Sequence, residues 1–355
     1  MRNMDEQPLI TLGIPIYNAA NLIERTIKSA LNQTYSNIEY LFIDDKGNSM
    51  DIVRRVVEDH PRGCSVRIID QMYNQGTGAA RNSIISHATG DFLFTMDCDD
   101  IIIPECIEIL YNKMMEHPVD FVAASFVRKD LQGVLYSGGC QYSDILIEGK
   151  DHAVAEYRYG QGKNIFVATW NKLYKTDFLR CNNIKCVPHY LIDDPWFTYQ
   201  VIICAKSCRL IPDCTLEFTY NPNSVTSIKE QNGYSEYLTE QYLGTQILKA
   251  KYIRSMIDKH FYMGALFDLM KMSIYHLYRA CSSNKISKEK KDEFMQEFLL
   301  IRFRYPRRCG VLDKNSYKVL PLLLFYMLPM KLKKILIRFM VKLNLRRILS
   351  RWLHF

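Results

Sequence analysis

The chain is predicted to fold as an α/β protein with a mainly parallel sheet and helices on both faces. Strand-like and helix-like apolar patterns alternate from residue 9 to residue 96, and the strands are apolar enough to be covered on both sides. Polar clusters stand directly after three of the strands, where an open sheet of this kind binds its ligands.

Leu9 to Ile16 reads as the first strand, with Ile10, Leu12, Ile14 and Ile16 alternating. Helical spacing follows from Asn21 to Leu31, with Leu22, Ile23, Thr26, Ile27 and Ala30 on one face and Asn21 with Glu24 placed to form a capping box. Ile38 to Ile43 is a second apolar strand. After Asp44-Asp45-Lys46-Gly47 a helix starts near Met50 and turns Ile52, Val53, Val56 and Val57 inward. Val66 to Ile69 is a third strand, and Gly76-Thr77-Gly78 opens a helix that runs to about Ala88. Phe92 to Met96 is the fourth strand, and right-handed crossovers between such strands bring Pro15 to Asn18, Asp44 with Asp45, and Asp97 to Asp100 to one crevice.

Further on, Pro104 to Met115 reads as a helix, Phe121 to Val127 as a strand, Gly133 to Tyr142 as a hairpin and Phe166 to Tyr174 as another strand. Pro195 in a first helical turn begins a helix through about Ala205, with Asp193 and Asp194 just before it. From Tyr234 to Phe303 the pattern is helical throughout. The expected organisation is a catalytic domain over 1–228, a helical appendage over 229–313 and a tail over 314–355.

Asp97-Cys98-Asp99-Asp100 packs three carboxylates into four residues, and each raises the pKa of its neighbours unless a cation or donors compensate. Oxygen ligands of this kind suit Mg²⁺ or Mn²⁺, which share their remaining positions with substrate phosphates. Asp100 taken alone reads as the start of the next helix. The Gly76-x-Gly78 pair is a poor match to a dinucleotide fingerprint, because it lacks the third glycine and does not follow the first strand.

The net charge of +8 belongs to the tail: ten Lys or Arg and no acidic residue follow Asp313, leaving 36 basic against 38 acidic side chains before it. No nucleic-acid partner is expected, since such a protein spreads its basic residues over the body that reads the ligand. Leu320 to Met330 is too short, and too interrupted by Pro321 and Pro329, to span a membrane. Beyond it Lys331, Lys334, Arg338, Lys342 and Arg346 recur at helical spacing among Leu332, Ile335, Leu336, Phe339 and Leu343. That is a basic amphipathic helix, expected to lie on an anionic membrane surface; packing against the protein or a partner is the alternative. Eleven cysteines without a CxxC or a Cys/His cluster read as idle thiols in a reducing compartment. MRNMDEQPLITLG shows no secretory signal, and the expected location is the cytoplasm, peripheral at the inner face of the membrane.

Seven short motifs, in order, resemble the inverting, non-processive bacterial glycosyltransferases of the GT-A-fold family 2 over residues 9 to 228. They are Pro15 to Asn18, Leu31 to Tyr35, Asp44-Asp45, Gly78 to Asn82, Asp97-x-Asp99-Asp100, Trp170 to Leu173, and Asp193-Asp194. The resemblance implies a nucleoside-diphosphate sugar donor, with UDP expected, and a glycan or lipid-linked acceptor of a surface polysaccharide. It puts Pro15, Tyr17 and Asp45, with Asn18 beside them, around the nucleotide base. Arg81 is similar to the residue at the diphosphate, Asp97 to the one near the ribose, Asp99 to the metal ligand and Asp194 to the catalytic base. Trp170 and Lys172 fall on the acceptor side, although Trp170 also reads as core. The family's usual Glu-Asp pair is Asp193-Asp194 here, and Lys46-Gly47 displaces its Gly-Ser.

These residue types suit the chemistry. The departing diphosphate gathers negative charge, which a cation and an arginine stabilise, while a base on the acceptor side takes the proton of the attacking hydroxyl. A carboxylate such as Asp193 beside that base raises its pKa towards neutrality. A nucleotidyltransferase would show a glycine-rich phosphate loop after the first strand, and a processive synthase would show transmembrane helices and Gln-x-x-Arg-Trp. A catalytically silent sugar-nucleotide-binding or scaffold protein is the reading from another class.

Overall fold

The computed structural model describes residues 7–188, 192–221, 233–303 and 316–345. It forms two compact units, one of Met1–Val154 with Phe166–Asn221 and one of Ala155–Ile165 with Pro222–Phe355.

The first unit opens with β1 (Ile10–Ile16), α1 (Ile23–Leu31), β2 (Ile38–Asp44), α2 (Met50–Glu58), β3 (Val66–Asp70), α3 (Thr77–His87) and β4 (Phe92–Thr95), as the alternation requires. It continues with β5 (Ile101–Ile102), α4 (Cys106–Glu116), β6 (Phe121–Lys129), β7 (Leu135–Cys140), β8 (Ile145–Glu148), α5 (Ala153–Ala155), β9 (Lys172–Lys175), α6 (Thr176–Cys181), α7 (Asp194–Cys204) and β10 (Ser207–Thr219). The sheet order is β3-β2-β1-β4-β9-β6-β10-β5, with β7 on β6 and β8 on β10. The first four strands in that order are parallel, as are β6 and β10. Strand β9 lies between them, antiparallel to both β4 and β6. The fold is therefore a mixed sheet with a parallel half, and the carboxyl ends of β1, β2, β4 and β6 share one edge.

Burial follows the pattern that the strands predict, with every residue of β1 and of β4 buried. The inward face of α1 is Ile23, Thr26, Ile27, Ala30 and Leu31, and its Glu24 pairs outside with Lys28 and Arg55. The expected Asn21–Glu24 capping box is not made: the amides of Leu22 and Ile23 are held by the Ala19 carbonyl, and Glu24 is engaged elsewhere. In α2, Met50, Val53 and Val56 are buried while Ile52 and Val57 are half-buried.

The strand read over Phe166 to Tyr174 is confined to its end, because Asn171 takes a left-handed conformation with φ of 54°. There its amide nitrogen donates to the carbonyls of Ala124 and Ser125 at 3.1 and 3.0 Å, and its oxygen accepts from the Thr215 hydroxyl at 2.7 Å. Asn171 thus ties β6 to β10. Strand β10 itself was not legible: Pro212, which cannot donate to a ladder, sits at the irregularity between Ile211 and Cys214 and hides a thirteen-residue strand.

The second unit contains α8 (Glu236–Tyr252), α9 (Tyr262–Cys281), α10 (Lys288–Leu299), α11 (Ser316–Met327) and α12 (Met330–Lys342). Ser235 and Ser287 cap α8 and α10 through their hydroxyls. Residues 155–165, assigned by sequence to the catalytic domain, belong here: the backbone of Tyr159 lies so close to α9 that a Cβ on Gly264 would stand 1.9 Å from its carbonyl oxygen. The tail also joins this unit. Ile337 is fully buried, and Met340 and Val341 pack with Tyr278 of α9. The stripe of Leu332, Ile335, Leu336, Phe339 and Leu343 faces outward instead, each residue 40 to 57% exposed. Arg338 pairs with Asp292, and Arg346 lies outside the described residues. No helix among the described residues is long and apolar enough to cross a membrane, and the ten described cysteines are free.

Candidate active site

Strand β1 delivers Tyr17 and Asn18 to the carboxyl edge, where Pro15 is buried in the strand and Tyr17 is exposed. Asn18 turns there with φ of 47°, and its side-chain oxygen accepts from the Asn48 amide at 3.3 Å. A Cβ on Gly47 would lie 2.4 Å from the Asn18 nitrogen, so the Lys46-Gly47 departure lets two backbones meet. Asp45, 2% exposed, accepts from the amides of Gln75 and Gly76 at 2.7 and 3.0 Å and thereby fixes the loop that opens α3.

After β4, ligand oxygens of Asp97, Asp99 and Asp100 lie within 4.8 Å of one another. Asp100 does not begin a helix as its sequence position suggested. It is fully buried before β5, where one oxygen accepts from the Thr219 amide at 2.9 Å and the other has no hydrogen-bond partner. Arg25 braces the loop from behind, donating to the Asp99 carbonyl at 3.1 Å and to the Thr219 hydroxyl at 2.7 Å. Burial, and then the charge of Asp97, push Asp99 up to about 7; burial and Asp99 push Asp100 well above the usual carboxylate range. An orphaned carboxylate oxygen beside uncompensated negative charge is what a divalent cation relieves, so the donor set fits Mg²⁺ or Mn²⁺.

Helix α3 carries Arg81 into the same place. Its side chain is 4% exposed, and Nη2 donates to Asp97 at 2.5 Å while Nη1 donates to both oxygens of Asp193 at 2.7 Å and to Asp194 at 3.4 Å. Burial works against the guanidinium charge, but the three aspartates hold it firmly protonated. Asp193 is the N-cap residue of α7, yet its side chain does not cap: its carboxylate is spent on Arg81, and Asp194 follows as the first helical residue. The two acids differ in access, with side chains 2% and 31% exposed respectively. One oxygen of Asp194 accepts from the Thr169 amide at 2.8 Å, and burial, opposed by Arg81, pushes this carboxyl up to about 6.

Trp170 and Lys172, expected on the acceptor side, are both buried. The indole is 5% exposed and packs between Phe126, Phe166 and Phe218, which favours the core reading for its ring. Lys172 donates to the Ala168 carbonyl at 2.7 Å, and burial pushes its ammonium down to about 8 against the pull of Asp194. Arg25, Thr169 and Thr219 were missed by sequence reasoning. Arg25 sits on an amphipathic helix where a charge reads as solvated surface, and Thr169 and Thr219 hold Asp194 and Asp100 through backbone amides, which no side-chain pattern reveals.

A GT-A-type sheet whose edge collects an aspartate cluster, a buried arginine and a half-accessible carboxylate defines a glycosyltransferase. Residues 11–182, just under half of the chain, match the family described as Glycosyl transferase family 2. EpsJ of Bacillus subtilis, an uncharacterised glycosyltransferase, is 25% identical over 237 residues, 66% of this chain and 68% of its own length. An uncharacterised glycosyltransferase of Haemophilus influenzae is 34% identical over 128 residues, 36% of this chain and 50% of its own length. Among solved structures, S. aureus TarS 1-349 in complex with UDP-GlcNAc superposes with a TM-score of 0.71 at 18% identity, over 95% of this chain and 91% of that one.

Proposed function

We propose that the chain is an inverting glycosyltransferase that moves a sugar from a UDP-sugar to a hydroxyl of a glycan or lipid-linked acceptor in surface polysaccharide assembly. The observation that carries this reading is Arg81, which ties Asp97 beside the metal cluster to Asp193 and Asp194, so that donor-side and acceptor-side carboxylates share one cleft. The UDP-GlcNAc complex of the similarly folded S. aureus protein supports a uridine donor.

In this reading Asp194 is the base and Asp193 is not. Both oxygens of Asp193 are held by a buried cation, while Asp194 keeps one oxygen pinned by Thr169 and part of its side chain open. The acceptor oxygen attacks the anomeric carbon, its proton passes to Asp194, and the bond from that carbon to the diphosphate breaks on the opposite face. Asp99, with Asp97 and Asp100 around it, would hold a divalent cation, which would supply neutralising charge to the departing diphosphate. Asp45, Tyr17, Asn18 and Pro15 frame the nucleotide base.

The outward stripe of α12 supports membrane association. Five exposed apolar side chains on a helix that also carries Lys331, Lys334 and Lys342 match an anionic lipid surface in both apolarity and charge, at about 1 kcal/mol per basic residue near the surface. A donor panel incubated with Mn²⁺ tests the catalytic reading: one sugar nucleotide should be turned over, and Asp194→Asn should lower kcat by about 10²–10⁴ while leaving donor binding nearly intact. Unchanged turnover in that variant ends the assignment.

A further inference from the structure

Strands β7, β6 and β10 place Tyr136, Arg128 and Phe218 side by side on one sheet face, since Arg128 is paired with both of the others. The Arg128 guanidinium lies 5.1 Å from the Phe218 ring centre, 5.6 Å from that of Tyr136 and 5.9 Å from that of Tyr220. Tyr136 and Tyr220 stack at 4.6 Å with 7° between their planes, and Trp170 stacks on Phe218 at 5.8 Å. The row grades from core to solvent: Trp170 is buried and Tyr136 is 45% exposed.

Its two ends are tied to the reaction centre. Trp170 follows Thr169, whose amide holds Asp194, and Tyr220 follows Thr219, whose amide holds Asp100. Both ends of the row are thus one residue along the chain from the backbone groups that hold the base and the metal cluster. Arg128 has no carboxylate partner among the described residues, and its Nε is buried without a hydrogen bond. The next residue along β6, Lys129, is instead neutralised by Glu217. A guanidinium framed by rings but short of a counter-ion, beside a half-exposed tyrosine face, suits a ligand that is both flat and acidic.

We propose that Tyr136, Tyr220 and Arg128 form an acceptor subsite for an acidic saccharide, whose pyranose face lies on Tyr136 and whose carboxylate or phosphate pairs with Arg128. The proposal rests on the glycosyltransferase reading and names its acceptor class. The sugar's C–H face replaces water on the tyrosine, while the planar guanidinium receives the acid through paired N–H donors.

The test is calorimetric titration of the full chain, with UDP and Mn²⁺ present, using a hexuronate disaccharide, a hexose phosphate and the neutral hexose disaccharide as probes. One acidic probe should bind at least about tenfold more tightly than the neutral one, and which acid does so identifies the group. Tyr136→Ala and Arg128→Gln should each weaken that probe by about tenfold. Tyr136 is exposed, so its variant remains informative if Arg128→Gln fails to fold. Equal binding of the neutral probe, no binding of either acid, or an unchanged affinity in Tyr136→Ala overturns the subsite. Wild-type hydrolysis of the donor, measured alongside, tests the transferase reading separately, because water serves there as acceptor.

Discussion

Replacing Arg81 with methionine removes the guanidinium that pairs with Asp97, Asp193 and Asp194. The residue is 4% exposed, its three pairs lie at 2.5, 2.7 and 3.4 Å, and the Asp193 side chain is 2% exposed. Deleting one partner of such a buried pair costs about 3–5 kcal/mol, since it leaves the other charge unpaired. For a unit of this size each kcal/mol lowers Tm by roughly 2–4 °C, so a drop of about 6–20 °C is expected. The loss should also depend on pH. Arg81 opposes the upward shift that burial imposes on Asp194, so without it that folded pKa rises further above its unfolded value, a contribution that is favourable below the unfolded pKa and is lost as pH rises through the folded one. The Tm deficit of Arg81→Met should therefore be large at pH 8 and shrink towards pH 5, while Arg81→Lys, which keeps charge but not the fork, falls between. Thermal unfolding of the three proteins across that range is the assay. A deficit under about 2 °C, or one that does not change with pH, would refute the account of Arg81 as the buried counter-ion of the cleft.

As the proposed base, Asp194 has to be unprotonated to accept the acceptor's proton, so kcat/KM should fall about tenfold per pH unit below about 6 and level off above it; a flat profile down to pH 5 would exclude Asp194 as the base. Gly47→Ala should cost about 1–3 kcal/mol and raise the donor KM, since its Cβ would meet the Asn18 backbone at 2.4 Å; unaltered Tm and KM would remove the argument. Leu336→Glu with Phe339→Glu should abolish cosedimentation with anionic vesicles without lowering Tm, because both side chains already face outward, and wild-type binding should weaken with salt. Retained cosedimentation of the double variant would move the anchor elsewhere.

The elements from Ile10 to Thr95 were legible because each is local: a period of two or of 3.6, a glycine at a helix start, and polar residues at strand ends. Where reading stopped, a distant partner had intervened. Pro212 masks β10, which pairs with β6 some ninety residues earlier, and Asn171 ends a strand pattern because its amide is needed by two other strands.

Sequence alone determined the α/β class, the order of motifs, the acidic run at Asp97 to Asp100 and the basic tail, since all of these are written in neighbouring residues. Only the tertiary structure decided that Arg81 is spent on three carboxylates from two distant segments, that Asp193 is locked while Asp194 stays open, and which stripe of the tail faces outward. Charge pairing and burial depend on which chain segments meet in space, and a carboxylate's role follows from its partners rather than from its place in a motif.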